Sequence, residues 1–381
     1  MKKIGIVISG KEDSGGLSQY SWSLIDALKN DQFNRYIIFC EKENLVVRNS
    51  NVFEVRLISK EFNLLNKIII FFSYLFVIRS KIIFSKKSLT IFSDIDYFIV
   101  PSASGYPHFF LGKPFVFTLH DLQDRYFPEY FSKIQIFLRR IMHRALSMRA
   151  SKILCESIFV KNDIIKFLKI DTNKIHIVPG PAPKSLINFK INLSKLDIIK
   201  KKYNIQNKFI FYPAQTWKHK NHIRLIDAFE VVSSKFNDVD LVLTGAPKSN
   251  HSRVIDKIAN SKISSRIKYL GYADYSELPY LYKASEFLVM PSLFESISIP
   301  IYESFSLKVP VMCSNITSIP EQVGDAALIF DPWDIKDISD KMIMYLNNQD
   351  LKEEMGLKGY KKIQNLNHYD YCKRLINIFN S

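Results

Sequence analysis

Short apolar runs bounded by turn-forming residues recur along the whole chain, with longer segments of helical periodicity between them. The first series is KIGIVIS from Lys3, RYIIFC from Arg35, DYFIVP from Asp96, PFVFTLHD from Pro114 and SKILCES from Ser151. A second series follows: KFIFYPA from Lys208, VDLVLTG from Val239, RIKYLG from Arg266, EFLVMPS from Glu286, VPVMCS from Val309 and ALIFDP from Ala327. Nearly continuous apolar strands alternating with helix-length segments predict two parallel α/β units, each doubly wound and Rossmann-like. Between the series, IHIVPGPAPKS gathers Pro179, Gly180, Pro181 and Pro183, a composition that stops regular structure and suits a linker. The expected organisation is a first domain over residues 1–182, a second over 183–364, and a C-terminal helix over 365–381 packing back on the first. Two such domains would face a central cleft with the C-terminal ends of their strands, where loops and helix N-termini bind ligands.

At 381 residues and 47% hydrophobic, the chain is long enough for two cores and too apolar for disorder. Its net charge of +16 favours an anionic partner, and the excess is larger over residues 1–182, which carry +10 of it. Cys40, Cys155, Cys313 and Cys372 are scattered without a CxxC pair, which suits a reducing, cytoplasmic compartment better than a disulfide framework. The N-terminal MKKIGIVISG has an apolar run too short for a signal peptide and reads as a buried strand. The stretch from Ile68 to Ile78 falls well below the roughly 20 residues that a spanning helix needs.

The segment PSLFESISIPIYES places Glu295 and Glu303 between a strand and a helix start. Pro300 fits a first helical turn and Ser298 can cap it. Such a start offers free N–H groups and a positive dipole end to a diphosphate. The two carboxylates suit hydroxyls, hence sugar, better than phosphate. No GxGxxG follows the first strand and no GxxxxGK[ST] is present, so dinucleotide and ATP chemistry lose support. The Asp-x-Asp pairs at Asp94 to Asp96 and Asp238 to Asp240 each precede a strand, where turn-forming Asp is ordinary, and no metal is called for.

The long segment PSLFESISIPIYESFSLKVPVMCSNITSIPEQVGDAALIFDP resembles the donor-site signature of the retaining family 4 glycosyltransferases, which have the GT-B fold. The resemblance implies that Glu295 contacts the donor sugar and Glu303 holds the nucleotide ribose. Ser296 and Ser298 stand where the family usually has glycine, and Ser306 to Lys308 replaces a small-residue turn. Either the two hydroxyls add phosphate contacts or the loop sits differently. FYPAQTWKHKNHIRLIDAF resembles the family loop whose lysine reaches the donor diphosphate, here Lys220. Ala214 stands where many relatives carry an arginine, so Arg224 is a candidate second cation. HDLQDRYFPEYFS resembles the segment whose histidine lies beside the transferred sugar, here His120, and Gly15 and Gly16 match the N-terminal glycine loop near the reaction centre.

The resemblance implies a metal-independent hexosyltransferase using a nucleoside diphosphate sugar and no cofactor, with a glycan or lipid-linked glycan as acceptor in bacterial surface polysaccharide synthesis. The AQTWKHKNH loop gives mannose from a GDP donor a slight preference. Two rivals remain: a sugar-nucleotide epimerase of the same fold, and a non-catalytic membrane- or glycan-binding subunit. Residues 131–155 hold six Lys or Arg and no acid. With the Ile68–Ile78 stretch they offer either a solvated helix face over a buried crossover helix, or a docking face for an anionic membrane at the inner side of the plasma membrane. Nucleic acid is not expected, because no recognition module is present.

Overall fold

The computed structural model describes residues 1–8, 16–40, 53–57, 64–77, 91–104, 112–182, 186–187 and 189–380, with backbone alone for residues 64–67. The chain divides into two compact units, Met1–Pro181 with His368–Ser381, and Ala182–Asn367.

In the first unit the strands β1 (Lys3–Val7), β2 (Arg35–Cys40), β3 (Glu54–Leu57), β4 (Tyr97–Val100), β5 (Phe115–Thr118), β6 (Lys152–Cys155) and β7 (Ile175–Ile177) form one sheet in the order β3-β2-β1-β4-β5-β6-β7. Among the described residues all its strand pairings are parallel. The order reverses between β1 and β4, the switch point at which open α/β sheets bind ligands beyond the strand C-termini. Both faces are covered. One apolar cluster joins Phe39, Phe98 and Phe117 to Leu146 and Ile164; the other joins Ile4, Ile38 and Leu154 to Leu24 and Leu28. Gly5 lets β1 pass between two of these rings, since a Cβ there would lie 2.7 Å from Phe98 and 2.8 Å from Phe39.

The helices of this unit are α1 (Gly16–Leu28), α2 (Leu64–Leu75), α3 (Lys133–Arg149) and α4 (Ile158–Asp163). Ser132 and Gln135 close a capping box on α3, which satisfies donors that its basic sequence would leave free.

The second unit carries β8 (Lys208–Pro213), β9 (Val239–Thr244), β10 (Ile267–Tyr269), β11 (Phe287–Met290), β12 (Val311–Ser314) and β13 (Leu328–Phe330) in the order β10-β9-β8-β11-β12-β13. Its strand pairings among the described residues are parallel as well. Around this sheet lie α5 (Leu193–Lys202), α6 (His222–Ser233), α7 (His251–Ala259), α8 (Leu278–Ala284), α9 (Ile299–Ser306), α10 (Ile319–Val323), α11 (Ile335–Asn347) and α12 (Gln349–Gln364). The strand interiors are fully buried, as their unbroken apolar runs require. The chain then returns to the first unit as α13 (His368–Asn380), which buries Tyr371, Leu375 and Phe379 against the α1 side of that sheet. Lys152 Nζ holds the far end of α13 by donating to the Ile378 carbonyl at 2.6 Å.

The two acidic pairs are structural. Asp94 is paired with Arg56 at 2.6 Å and Lys3 at 3.2 Å, and Asp240 accepts from Asn207 at 3.0 Å.

Candidate functional site

Strand β11 ends at Met290, and residues 291–298 lead from its C-terminal end into α9, whose first turn contains Pro300. Glu295 stands in this loop, nearly buried, and Lys220 Nζ donates to its Oε1 in a direct ion pair. Glu303 lies in the second turn of α9, buried, with Oε2 accepting from the Tyr282 hydroxyl at 2.6 Å. Burial raises the Glu303 carboxyl above the ordinary carboxylate range, while the Tyr282 hydrogen bond pulls it the other way. Among the described residues its second oxygen has no hydrogen-bond partner.

The Lys220 loop is stitched to the Glu295 loop by backbone. Leu293 N–H donates to the His219 carbonyl at 2.7 Å, and the Tyr212 hydroxyl donates to the Lys220 carbonyl at 2.7 Å. Asn221 is the pin. It adopts a left-handed conformation, φ 59°, and its buried amide donates to the Pro291 and Pro332 carbonyls at 3.0 and 2.9 Å. One side chain thereby ties the loops after β11 and β13 to the start of α6. Burial and the neighbouring Lys220 cation lower His219 to about 2, so it is neutral at any working pH. Arg224 donates to Asn221 Oδ1 at 3.1 Å and stacks over Trp333 at 4.5 Å, which holds it on α6 one turn beyond Lys220.

A set of polar side chains from α10 and the connection that leads to it from β12 fixes the glutamate loop from beneath. Gln322 spans the backbone of Ser298, accepting from its N–H at 2.9 Å and donating to its carbonyl at 2.8 Å. Ser318 Oγ donates to the Glu295 carbonyl at 3.0 Å and also to that of Ser296. Thr317 Oγ1 donates to the Glu295 carbonyl at 2.6 Å and accepts from its N–H at 3.3 Å. Thr317 holds φ 50°, a costly conformation for a β-branched residue, and these two bonds help to sustain it. Ser298 occupies the N-cap of α9, but its hydroxyl makes no capping bond and is buried without a partner, contrary to the expected cap. With its backbone already clamped by Gln322, the residue presents the hydroxyl elsewhere than to the helix. Lys308, in the replaced turn, takes φ 57°, the conformation that glycine adopts without penalty.

In the first unit His120 follows β5. Its Nε2 lies 2.7 Å from the Pro101 carbonyl and its Nδ1 2.9 Å from Glu156 Oε2, with the Tyr20 ring edge-on at 4.7 Å. Burial opposes a charged ring, but the Glu156 carboxylate, with the Pro101 carbonyl and Asp121, outweighs it and His120 is raised above the ordinary imidazole range. Gly16 begins α1 and is exposed, while Gly15 lies outside the described residues. Of the predicted site residues, the second unit thus brings together Lys220, Glu295, Ser296 and Ser298, with Arg224 and Glu303 on the helices that follow. His120 and Gly16 stand in the first unit.

Sequence reasoning missed Asn221 as a pin, Tyr282, Gln322, Thr317, Ser318 and Glu156. Each is a buried or half-buried polar residue on a helix or loop beside the sheets, a signal visible only once the strands are placed.

Against known families, a model of glycosyl transferases group 1 matches residues 196–362, and one of glycosyltransferase family 4 matches residues 14–183. The chain is a glycosyltransferase of group 1, family 4. Among curated relatives, the O-antigen chain mannosyltransferase B of Escherichia coli is 28% identical over 271 residues, 69% of each chain. The O-antigen chain mannosyltransferase RfbU of Salmonella typhimurium is 26% identical over 58% of this chain and 57% of its own, so the match spans little more than half of that relative. Among solved structures, Anabaena HepE in complex with UDP and glucose superposes with TM-score 0.78 at 15% identity, over 100% of both chains. WaaG, a glycosyltransferase involved in lipopolysaccharide biosynthesis, gives 0.70 at 12% identity over 98% and 99%. At such identities the likeness is one of fold, and this glycosyltransferase has the GT-B fold.

Proposed function

We propose that this glycosyltransferase moves a hexose, mannose before others, from a nucleoside diphosphate sugar to a glycan or lipid-linked glycan in bacterial surface polysaccharide synthesis, with retention at the anomeric carbon. The observation that carries the reading is the Lys220–Glu295 ion pair set on a clamped loop at the start of α9. A cation, a sugar-binding carboxylate and a helix N-terminus are there fixed in one loop system. The O-antigen mannosyltransferase relatives favour mannose, and hence GDP, and the UDP-bound neighbour favours a nucleotide donor in general.

As the bond from the anomeric carbon to the diphosphate breaks, negative charge grows on the leaving oxygens. Lys220 and the N–H groups of α9 offset it, with no cofactor or metal assigned. The acceptor oxygen forms its bond to the same face of that carbon, and its proton passes to the departing diphosphate. Glu295 accepts from the sugar hydroxyls, and the unpartnered oxygen of Glu303 from the ribose. Glu295, rather than a covalent nucleophile, is the carboxylate nearest this chemistry.

On the first unit, α2 and α3 pack together with Phe71 and Phe137 at 6.3 Å, leaving Phe72, Phe76, Ile134, Phe137 and Leu138 exposed beside Lys133 and Arg144. That basic and apolar face supports peripheral docking on an anionic inner membrane surface, where a lipid-linked acceptor would be presented. No helix among the described residues is long and apolar enough to cross a membrane.

The test combines a thermal-shift screen of GDP, UDP and ADP with a transfer assay using GDP-mannose and UDP-glucose. A bound nucleotide raises the melting temperature by mass action. Stabilisation by GDP and acceptor-dependent formation of an α-mannoside is the expected result. An isomerised sugar nucleotide without acceptor would mean an epimerase, and no turnover of any donor would mean a binding subunit.

A further inference from the structure

Glu156, at the end of β6, has no role in the reading above. It is 7% exposed, and Oε2 faces His120 Nδ1 at 2.9 Å. The protons of this pair follow from its partners. The Pro101 carbonyl, 2.7 Å from Nε2, accepts only, so Nε2 carries hydrogen. Nδ1 and Oε2 then share one proton, and the pair is neutral as a whole. The groups around it are Asp121, itself paired with Arg139 at 3.0 Å, and the buried hydroxyls of Tyr20, Thr118 and Tyr371. Both ring nitrogens of His120 are therefore spent inside the unit, and His120 keeps no polar atom for a substrate.

Glu156 does keep one. Among the described residues Oε1 has no hydrogen-bond partner. It lies beside Gly180, where a Cβ would come within 3.2 Å of it. Residue 180 follows β7, residue 120 β5 and residue 101 β4, so the oxygen stands at the C-terminal ends of four neighbouring strands. That end of an open α/β sheet is where ligands bind. A carboxylate oxygen accepts hydrogen bonds only, its companion oxygen is already neutralised, and a sugar hydroxyl is the complementary donor.

We infer that Glu156 is a further substrate-binding residue, its Oε1 accepting a hydrogen bond from a sugar hydroxyl while its Oε2 holds His120 in place. This rests on the sugar-transfer reading above. The hydroxyl belongs either to the donor sugar or to the acceptor glycan, and the two sources are separable.

The experiment compares wild type with Glu156→Met, which removes the Oε1 acceptor, and with Glu156→Gln, whose amide still donates to Nδ1 and keeps a carbonyl oxygen in the place of Oε1. Donor hydrolysis is measured with GDP-mannose, UDP-glucose and their monodeoxy sugar analogues, and transfer with methyl α-mannoside and its monodeoxy analogues. A charge-assisted hydrogen bond corresponds to roughly a 10- to 100-fold change in kcat/KM. The expected result is one deoxy position, in one panel, at which wild type loses at least about 10-fold, Glu156→Gln still loses activity, and Glu156→Met loses little further. Coupling in the donor panel assigns the hydroxyl to the transferred sugar, and coupling in the acceptor panel to the acceptor. Equal losses in wild type and Glu156→Met at every position, or full activity of Glu156→Met on the intact sugars, would overturn the inference. Wild type turning over neither donor would sink the proposed function, and this inference with it.

Discussion

Replacing Gln322 with Met keeps the length of the side chain and removes both hydrogen bonds to the Ser298 backbone, at 2.9 and 2.8 Å. Ser298 is 2% exposed, so its N–H and carbonyl would be left without partners in a place that water does not reach. An orphaned buried polar group costs about 1–3 kcal/mol, and two set an unrelaxed range of about 2–6 kcal/mol. Part of that is recovered if the loop shifts toward solvent, which leaves about 2–4 kcal/mol as the expected loss. For a unit of this size each kcal/mol lowers Tm by roughly 2–4 °C, so Gln322→Met should melt roughly 5–15 °C lower by calorimetry. It should also bind nucleotide more weakly, because the same loop carries Glu295 and the start of α9. Gln322→Glu sharpens the test through pH. Protonated, its carboxyl can both accept from Ser298 N–H and donate to the carbonyl; ionised, it sets a lone pair against that carbonyl. Its folded-state pKa is therefore raised above the unfolded value of about 4.3. The contribution is fully present below the unfolded pKa and is lost as pH rises through the folded one, so this variant should be closest to wild type in acid and weakest at neutral pH. Wild-type Tm and nucleotide affinity in Gln322→Met, or a Gln322→Glu variant whose deficit does not grow with pH, would refute the clamp.

Three other outcomes follow from the same geometry. Glu303→Gln keeps an acceptor for the Tyr282 hydroxyl and removes a carboxyl whose pKa burial raises, so it should hold or gain stability at neutral pH while nucleotide affinity falls about 10-fold by calorimetric titration. Lys220→Met strands the nearly buried Glu295 and should cost about 3 kcal/mol; adding Glu295→Gln should restore most of the Tm but none of the transfer activity. Lys133 and Arg144 carry no ion pair among the described residues, whereas Arg139 and Arg140 are engaged with Asp121 and Asp124. At about 1 kcal/mol for each cation near a charged surface, Lys133→Gln with Arg144→Gln should weaken sedimentation with phosphatidylserine vesicles roughly 30-fold at low salt, and equal sedimentation would make α3 a solvated face.

Most strands were legible because a strand buried on both faces writes itself as a continuous apolar run, as FIFY in β8 and LVL in β9 do. β3 was not. Its sequence EVRL pairs Glu54 with Ile37 at the sheet edge, where Glu54 meets Arg35 at 2.7 Å, and a half-exposed edge strand with charged side chains leaves no apolar signature. The glutamates and Lys220 were legible as separate candidates because each sits in a local pattern of turn and helix start. Their contact was not, since it joins loops 75 residues apart in sequence. Separations of 24 and 36 residues likewise hid Gln322 from Ser298 and Glu156 from His120, pairs set only when parallel strands align their C-terminal ends.

The serines that replace glycine at 296 and 298 acquire a physical reading through those hidden partners. A glycine loop reaches a close-fitting conformation because it has freedom to do so, and it gives up that freedom on binding. Here the conformation is imposed from beneath: Ser318 takes the carbonyls of residues 295 and 296, Thr317 both backbone groups of residue 295, and Gln322 both of residue 298. A loop held at residues 295, 296 and 298 loses less entropy when a ligand arrives, so the side chains at 296 and 298 cost little that glycine would have saved. The buried, unpartnered hydroxyl of Ser298 is then a polar atom fixed at the start of α9, beside the N–H groups proposed to meet the diphosphate. Loop rigidity and the serine substitutions are thus two aspects of one arrangement, and weakening the clamp should loosen nucleotide binding even though Gln322 touches only backbone.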